Sequence, residues 1–369
     1  MLPFFFICAW ETGKGAFDPL TSLLHVDLYN NPMLLSSFLP TLKPPALPPT
    51  VYQVGLGYNR LAHLPTTLLQ NVTGSLKILN LSGNFFIFLS DILWPECGLP
   101  SLQYLIMESC SVALIDKNVF RNMSRLSYIY LGMNQITEIP SQVLPPSLRL
   151  LSLRRNPAGA NSFSFNKDSF AELPYLTWLD MNYMKLDRNS FSEDVFNGVP
   201  HLTILQMRES DLSYIPPRLF SPLLELLVLD LGGNSGVTSL PNDFSVGLNK
   251  TLMLFLDWCS LDFPSGGIHD YQPFRWMSNL YYLYLGFNNI YSFTPNLIAS
   301  LTQLTVLDLS QNMLSTWILG TTANMPADAA IDASDNKITY LPNQTFEEFS
   351  RIKVIDLSDN ALTCICQVR

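Results

Sequence analysis

Four histidines (His25, His63, His201, His269) and six cysteines (Cys8, Cys97, Cys110, Cys259, Cys364, Cys366) are the residues of this 369-residue chain best suited to chemistry. Nucleophilic or acid–base catalysis needs such groups converging on one point with a nucleophile or a second carboxylate. Here the histidines fall in unrelated segments, and the pair His269–Asp270 has no nucleophile in a recognisable setting. The glycine-rich GGNSG at 232–236 lacks the lysine of a phosphate loop. The cysteine spacing matches no zinc pattern. The sequence therefore predicts a protein that is not an enzyme and takes no cofactor or metal. A net charge of −9 with only 14% charged residues excludes a DNA-binding signature, because counterion release needs a basic footprint.

What positions these residues is a repeat. The pattern L-x-x-L-x-L-x-x-N-x-L is plainest in LSYIYLGMNQI (126–136), LYYLYLGFNNI (280–290), LTVLDLSQNML (304–314) and IKVIDLSDNAL (352–362). Its asparagine slot recurs at Asn31, Asn59, Asn84, Cys110, Asn134, Asn156, Met184, Ser210, Asn234, Cys259, Asn288, Asn312, Asn336 and Asn360, every 22 to 29 residues. A short L-x-L alternation has the period of a strand, and one strand per ~25 residues without long helical patterns means stacked coils. Leucines fill the inside, and the asparagines form a ladder whose amides bond backbone groups at the turns. Cys110 and Cys259 are expected to fill that slot as small buried residues, while Met184 and Ser210 predict local irregularity.

A second column has the same phase. Phe17, Phe120, Phe170, Phe196, Phe220, Phe274 and Phe346 each lie six residues before the next strand's first apolar position. Such spacing predicts a stacked aromatic spine on the side away from the strands.

These motifs resemble the extracellular leucine-rich-repeat family, and within it Toll-like receptor ectodomains. The fold implied is an α/β-type solenoid, a horseshoe with a parallel sheet on its concave face and irregular or short helical convex segments. Residues 23–363 read as the array of about fourteen repeats, and residues 1–22 as a partial N-terminal repeat or degenerate signal segment. Residues 364–369 read as the start of a truncated C-terminal cysteine cap. NALTCIC (360–366) is similar to the family's cap opening, so the resemblance implies that Cys364 and Cys366 are halves of two cap disulfides. It also implies a piece of a longer receptor, on the extracellular side of a membrane at the cell surface or in endosomes, or a secreted chain. Membrane attachment would come only through a segment absent here, since no run of ~20 apolar residues occurs.

Function is expected on the outward strand positions, which at ~4.8 Å per strand make a face roughly 65 Å long. Aromatic side chains crowd it at Tyr128, Tyr130, Trp178, Tyr183, Phe255, Trp258, Tyr281, Tyr282, Tyr284 and Phe287. Tyr and Trp are enriched in binding hot spots, and the Phe255 to Phe287 group draws on two successive repeats. Arg149, Arg154 and Arg155 share one repeat and Arg208 takes the Arg154 position two repeats on; these read either as a solvated face, with Glu209 beside Arg208, or as a site where an anionic ligand group bridges Arg154 and Arg208. Two inserts, 156–170 and 260–277, are the loops best placed to add contacts. The sequons at Asn71, Asn80, Asn122, Asn249 and Asn343 predict glycosylation on a secretory route. Asn80 sits between two inward leucines, so a glycan there would obstruct the early strand face and move binding to later repeats or a lateral edge.

The partner expected is a protein or microbial-type ligand on the concave or lateral face. The resemblance implies ligand-promoted homo- or heterodimerisation with another leucine-rich-repeat receptor, in innate immune signalling. The alternative is a secreted or matrix adhesion protein that binds one partner and transmits no signal.

Overall fold

The computed structural model describes residues 17–31, 46–156, 162–192, 194–264, 271–293, 295–317, 325–326, 328–341 and 352–363. Phe346, Asn343, Cys8, Cys364 and Cys366 lie outside them, as do His269 and Asp270. The chain divides into two compact units, Met1–Asn156 and Pro157–Arg369. The division falls at the start of the 156–170 insert.

In the first unit, β1 (His25–Asp27), β2 (Gln53–Gly55), β3 (Ile78–Asn80), β5 (Tyr104–Ile106), β7 (Tyr128–Tyr130) and β8 (Leu150–Ser152) pair in parallel in chain order. Two further strands, β4 (Phe88–Leu89) and β6 (Leu114–Ile115), form a small parallel sheet beside them. In the second unit the same arrangement runs through β9 (Trp178–Asp180), β10 (Ile204–Gln206), β11 (Val228–Asp230) and β12 (Met253–Phe255). It continues through β13 (Tyr282–Tyr284), β14 (Val306–Asp308), β15 (Ala330–Asp332) and β16 (Val354–Asp356). Each unit is a leucine-rich-repeat solenoid.

The strands are three residues long because the repeat allows no more. In most of them the middle residue, such as Leu79, Leu229 or Leu307, is buried and its two neighbours are more open; in β8 all three are buried, and in β16 the middle residue is half-buried. The chain then leaves the strand through a residue of positive φ directly before each ladder position. That residue is glycine at Gly83 and Gly233 and otherwise side-chain bearing, as at Tyr58, Trp258 (φ 55°), Phe287 (φ 56°) and Gln311. A left-handed conformation costs roughly 1–2 kcal/mol for such residues, so the turn's other bonds must hold it.

The ladder supplies those bonds. Asn134 Nδ2 donates to the carbonyls of Met107 (2.8 Å) and Leu131 (2.9 Å), and its Oδ1 accepts the N–H groups of Cys110 (2.8 Å) and Val112 (3.0 Å). One amide thus ties two coils. Cys110, in the same slot, donates its thiol to the Leu81 carbonyl. A thiol is a weak acceptor, and the N–H of Phe86 turns to the Cys110 carbonyl at 2.8 Å instead. At Ser210 the expected irregularity is limited to the Leu186 N–H, which turns to the Ser210 carbonyl at 2.9 Å. Its hydroxyl donates to the Met181 carbonyl (2.8 Å) and accepts the Met184 N–H (3.2 Å), so the serine keeps part of the amide's bonding between coils. Met184 is buried in its slot.

Opposite the strands, the second unit carries the aromatic spine. Phe170, Phe196, Phe220, Phe244 and Phe274 follow one another at 5.8 to 6.4 Å between ring centroids, all fully buried. Phe17 and Phe120 are buried in the first unit. Among the described residues helix is confined to Thr66–Leu69, with 3-10 turns at Asp91–Leu93 and Pro295–Leu297. No helix among the described residues is long and apolar enough to cross a membrane.

Candidate functional site

In-register pairing brings equivalent residues of neighbouring repeats face to face. On β12 and β13, Phe255 is paired with Tyr284, and their rings stack at 4.8 Å with 2° between planes. Three residues on, Trp258 stacks on Phe287 at 3.9 Å and 10°. Both residues of the second pair sit in left-handed turns, which splay their rings to the surface: Trp258 is 54% exposed and Phe287 39%. Tyr281 and Tyr282 are exposed beside them, and Tyr284 is half-buried. Burial raises the Tyr284 phenol above its ordinary pKa, so it remains a hydrogen-bond donor at neutral pH. Six of the predicted aromatics thus gather on two neighbouring coils, four of them in two stacked pairs, and make up a platform of rings.

A charged cluster lies next to it. Arg208 Nη1 donates to Asp230 Oδ1 at 3.3 Å and to Asp257 Oδ1 at 3.2 Å, and Nη2 donates to Asp257 Oδ2. The bonds to Asp257 push the guanidinium above its already high pKa, while burial is the largest influence on Asp230 and raises its carboxyl. Arg208 and Asp257 reach each other because Gly232 stands between them on the intervening coil, and a β-carbon there would lie 2.7 Å from Asp257 Oδ1. The first unit repeats the device. Arg154 Nη2 is 3.1 Å from Glu108 Oε1 across Gly132. Sequence reasoning left both arginines on a solvated face or for an anionic ligand; each is engaged by carboxylates of its own chain, with which such a ligand would compete.

The other predicted aromatics are placed separately. Tyr128 stacks on Tyr104 at 4.2 Å and 3°; Tyr104 was missed, although it holds the Tyr128 position one repeat earlier. Tyr130 is half-buried, and burial raises its phenol. Trp178 is exposed and its indole N–H donates to Gln206 Oε1 at 2.9 Å. Tyr183 is exposed at a left-handed turn. Among sequons, Asn71, Asn122 and Asn249 are exposed on returning segments. Asn80 is half-buried on the strand face, with its Oδ1 accepting the Ser82 N–H at 3.0 Å. Among the described residues no group of three or more His, Cys, Asp or Glu could hold a metal ion.

The repeat geometry has counterparts in known proteins. The family model described as Leucine rich repeat matches residues 100–157 and 270–327. Both stretches carry leucine-rich repeats of this kind. Keratocan of Mus musculus is 26% identical over 52% of this chain and 50% of its own length. Toll-like receptor 9 of Homo sapiens is 26% identical over 96% of this chain and 36% of its own length. The chain spans half or less of the length of these curated relatives. A leucine-rich-repeat protein of Leptospira interrogans has a solved structure similar to this one, with a TM-score of 0.69 and 23% identity over 93% of this chain and 80% of that one. Toll, in a Drosophila complex with Spatzle, gives a TM-score of 0.53 at 18% identity over 89% of this chain and 52% of that one. At these identities the solved structures speak for the fold alone.

Proposed function

We propose that this chain is the ligand-binding part of a Toll-like pattern-recognition receptor on the extracellular side of a membrane. In this reading the ligand sits on the Phe255, Trp258, Tyr281, Tyr282, Tyr284 and Phe287 platform. The observation that carries the proposal is the Trp258–Phe287 stack, two large rings on neighbouring coils held open to solvent. Side chains of this kind bury much area at small cost in rotamer freedom, which is why they dominate binding hot spots. The likeness to Toll-like receptor 9 along nearly the whole chain supports a receptor in innate immune signalling, in which a ligand draws two solenoids together.

A second reading, a secreted or matrix protein that binds a partner without signalling, is supported by the likeness to keratocan. The two differ in stoichiometry and output. The chain can be displayed on cells, fused through a membrane span to a Toll-like cytoplasmic domain with a transcriptional reporter, and exposed to fractionated microbial extracts and matrix proteins. The receptor reading expects reporter output from a fraction that also doubles the sedimenting mass of the soluble chain. Binding at one-to-one stoichiometry, without output, would replace it by the adhesion reading.

A further inference from the structure

On the returning segments of the first unit lies a cleft of about 590 Å³ that the platform does not use. Its walls include Asp91, Ile92, Trp94, Glu96, Arg121 and the sequon residue Asn122. Trp94 is buried and held by its indole N–H on the Val119 carbonyl at 2.8 Å, which fixes one wall. Ile92 is 83% exposed, more than any other large hydrophobic residue described. Gly98 (φ 68°) lets Asn122 approach, since a β-carbon on Gly98 would run into that of Asn122. None of Asp91, Glu96 and Arg121 takes part in the ion pairs among the described residues.

We infer that this cleft binds the core sugars of the chain's own N-linked glycan at Asn122. The attachment is a transfer from a lipid-linked oligosaccharide: Asn122 Nδ2 bonds to C1 of N-acetylglucosamine, loses one proton, and the lipid pyrophosphate leaves. The sugar then starts inside the cleft rather than above it. Its apolar face and acetyl methyl cover Ile92, removing apolar surface from water, while Asp91, Glu96 and Arg121 offer charged partners to its hydroxyls and amide. Asn71 and Asn249 are exposed too but do not line this cleft, so they serve as internal references.

The inference rests on the extracellular reading, and one experiment separates the two. The chain is secreted from mammalian cells, treated briefly in its folded state with a peptide N-glycosidase, and glycopeptides at Asn71, Asn122 and Asn249 are quantified by mass spectrometry. Docking predicts release at Asn122 about tenfold slower than at the references, equivalent to about 1.4 kcal/mol of protection. It also predicts equal rates after denaturation, and loss of the difference in Ile92→Ser, a surface change that leaves the fold intact. Equal rates in the folded chain, an unmodified Asn122 beside a modified Asn71, or slow release that Ile92→Ser does not change would each overturn it. A chain modified at none of these sites would overturn the extracellular reading as well.

Discussion

Arg208 and Asp257 are 49 residues apart in sequence and meet in a forked hydrogen bond across Gly232. The intervening coil passes between them without a side chain, so charges two coils apart become neighbours. Gly232→Ala is expected to force the two flexible side-chain ends apart and destabilise the chain by about 0.2–1 kcal/mol, the worth of a partly exposed ion pair. Gly74→Ala, whose added carbon meets nothing within 4 Å, is the control. Thermal melting compares them, and equal shifts would contradict the bridging role of the glycine.

The ladder makes a separate expectation. Asn312 Nδ2 donates to the carbonyls of Leu285 (2.9 Å) and Leu309 (3.1 Å), and Oδ1 accepts the Ile290 N–H (3.0 Å). Asn312→Ala leaves these buried groups unpaired, at about 1–3 kcal/mol. Gln311→Ala changes an exposed neighbour and should stay within about 0.5 kcal/mol. Denaturant titration of both variants would contradict the register if the two midpoints moved alike.

Much of this was legible because the repeat is written in residue types. The ladder slots and the buried leucines follow from the L-x-L and asparagine columns alone. The left-handed residue before each slot was not legible, since it is glycine only at Gly83 and Gly233: the coil imposes the conformation and the side chain tolerates it. Phe244 was missed from the spine because the next strand's first apolar slot holds Thr251, buried and seven residues on. The Arg208–Asp257 pair was hidden for another reason. Reading it requires comparing positions two repeats apart and noticing what Gly232 omits.

Cysteine reactivity should divide sharply. Burial is the main cause raising the Cys110 thiol to about 11 and the Cys259 thiol to about 12, so at neutral pH almost no thiolate forms at either, and thiolate is the reactive species. Cys97 is exposed. Iodoacetamide on the folded chain, followed by peptide mapping, should label Cys97 well before Cys110 or Cys259, which react only on unfolding. Labelling of either buried thiol as fast as Cys97 would contradict the burial.

Acid should act on Asp308 in a defined direction. Burial, the largest influence, raises its carboxyl above the ordinary value of 3.8, against the bonds from Ser310. A raised folded pKa means the folded state binds the proton more tightly, so the ionised group lowers stability at neutral pH and the deficit shrinks as pH falls through the folded pKa. Asp308→Asn keeps the acceptor for Ser310 and removes the charge. It should melt higher than the parent at pH 7, with the advantage fading as pH approaches about 4. An advantage independent of pH would contradict the assignment.

The central claim is that the exposed rings on the β12 and β13 coils, Trp258 and Phe287 foremost, bind the ligand. The direct measurement is the affinity of the soluble chain, its Trp258→Ala/Phe287→Ala variant and a Tyr340→Ala control for each member of a panel of purified proteins and glycans. Tyr340 is exposed outside the platform. For every probe that binds the parent, the account predicts a loss of at least about 2 kcal/mol in the double variant, as for a hot spot, and an unchanged affinity in the control. Binding that survives in the double variant at the parental affinity would contradict it.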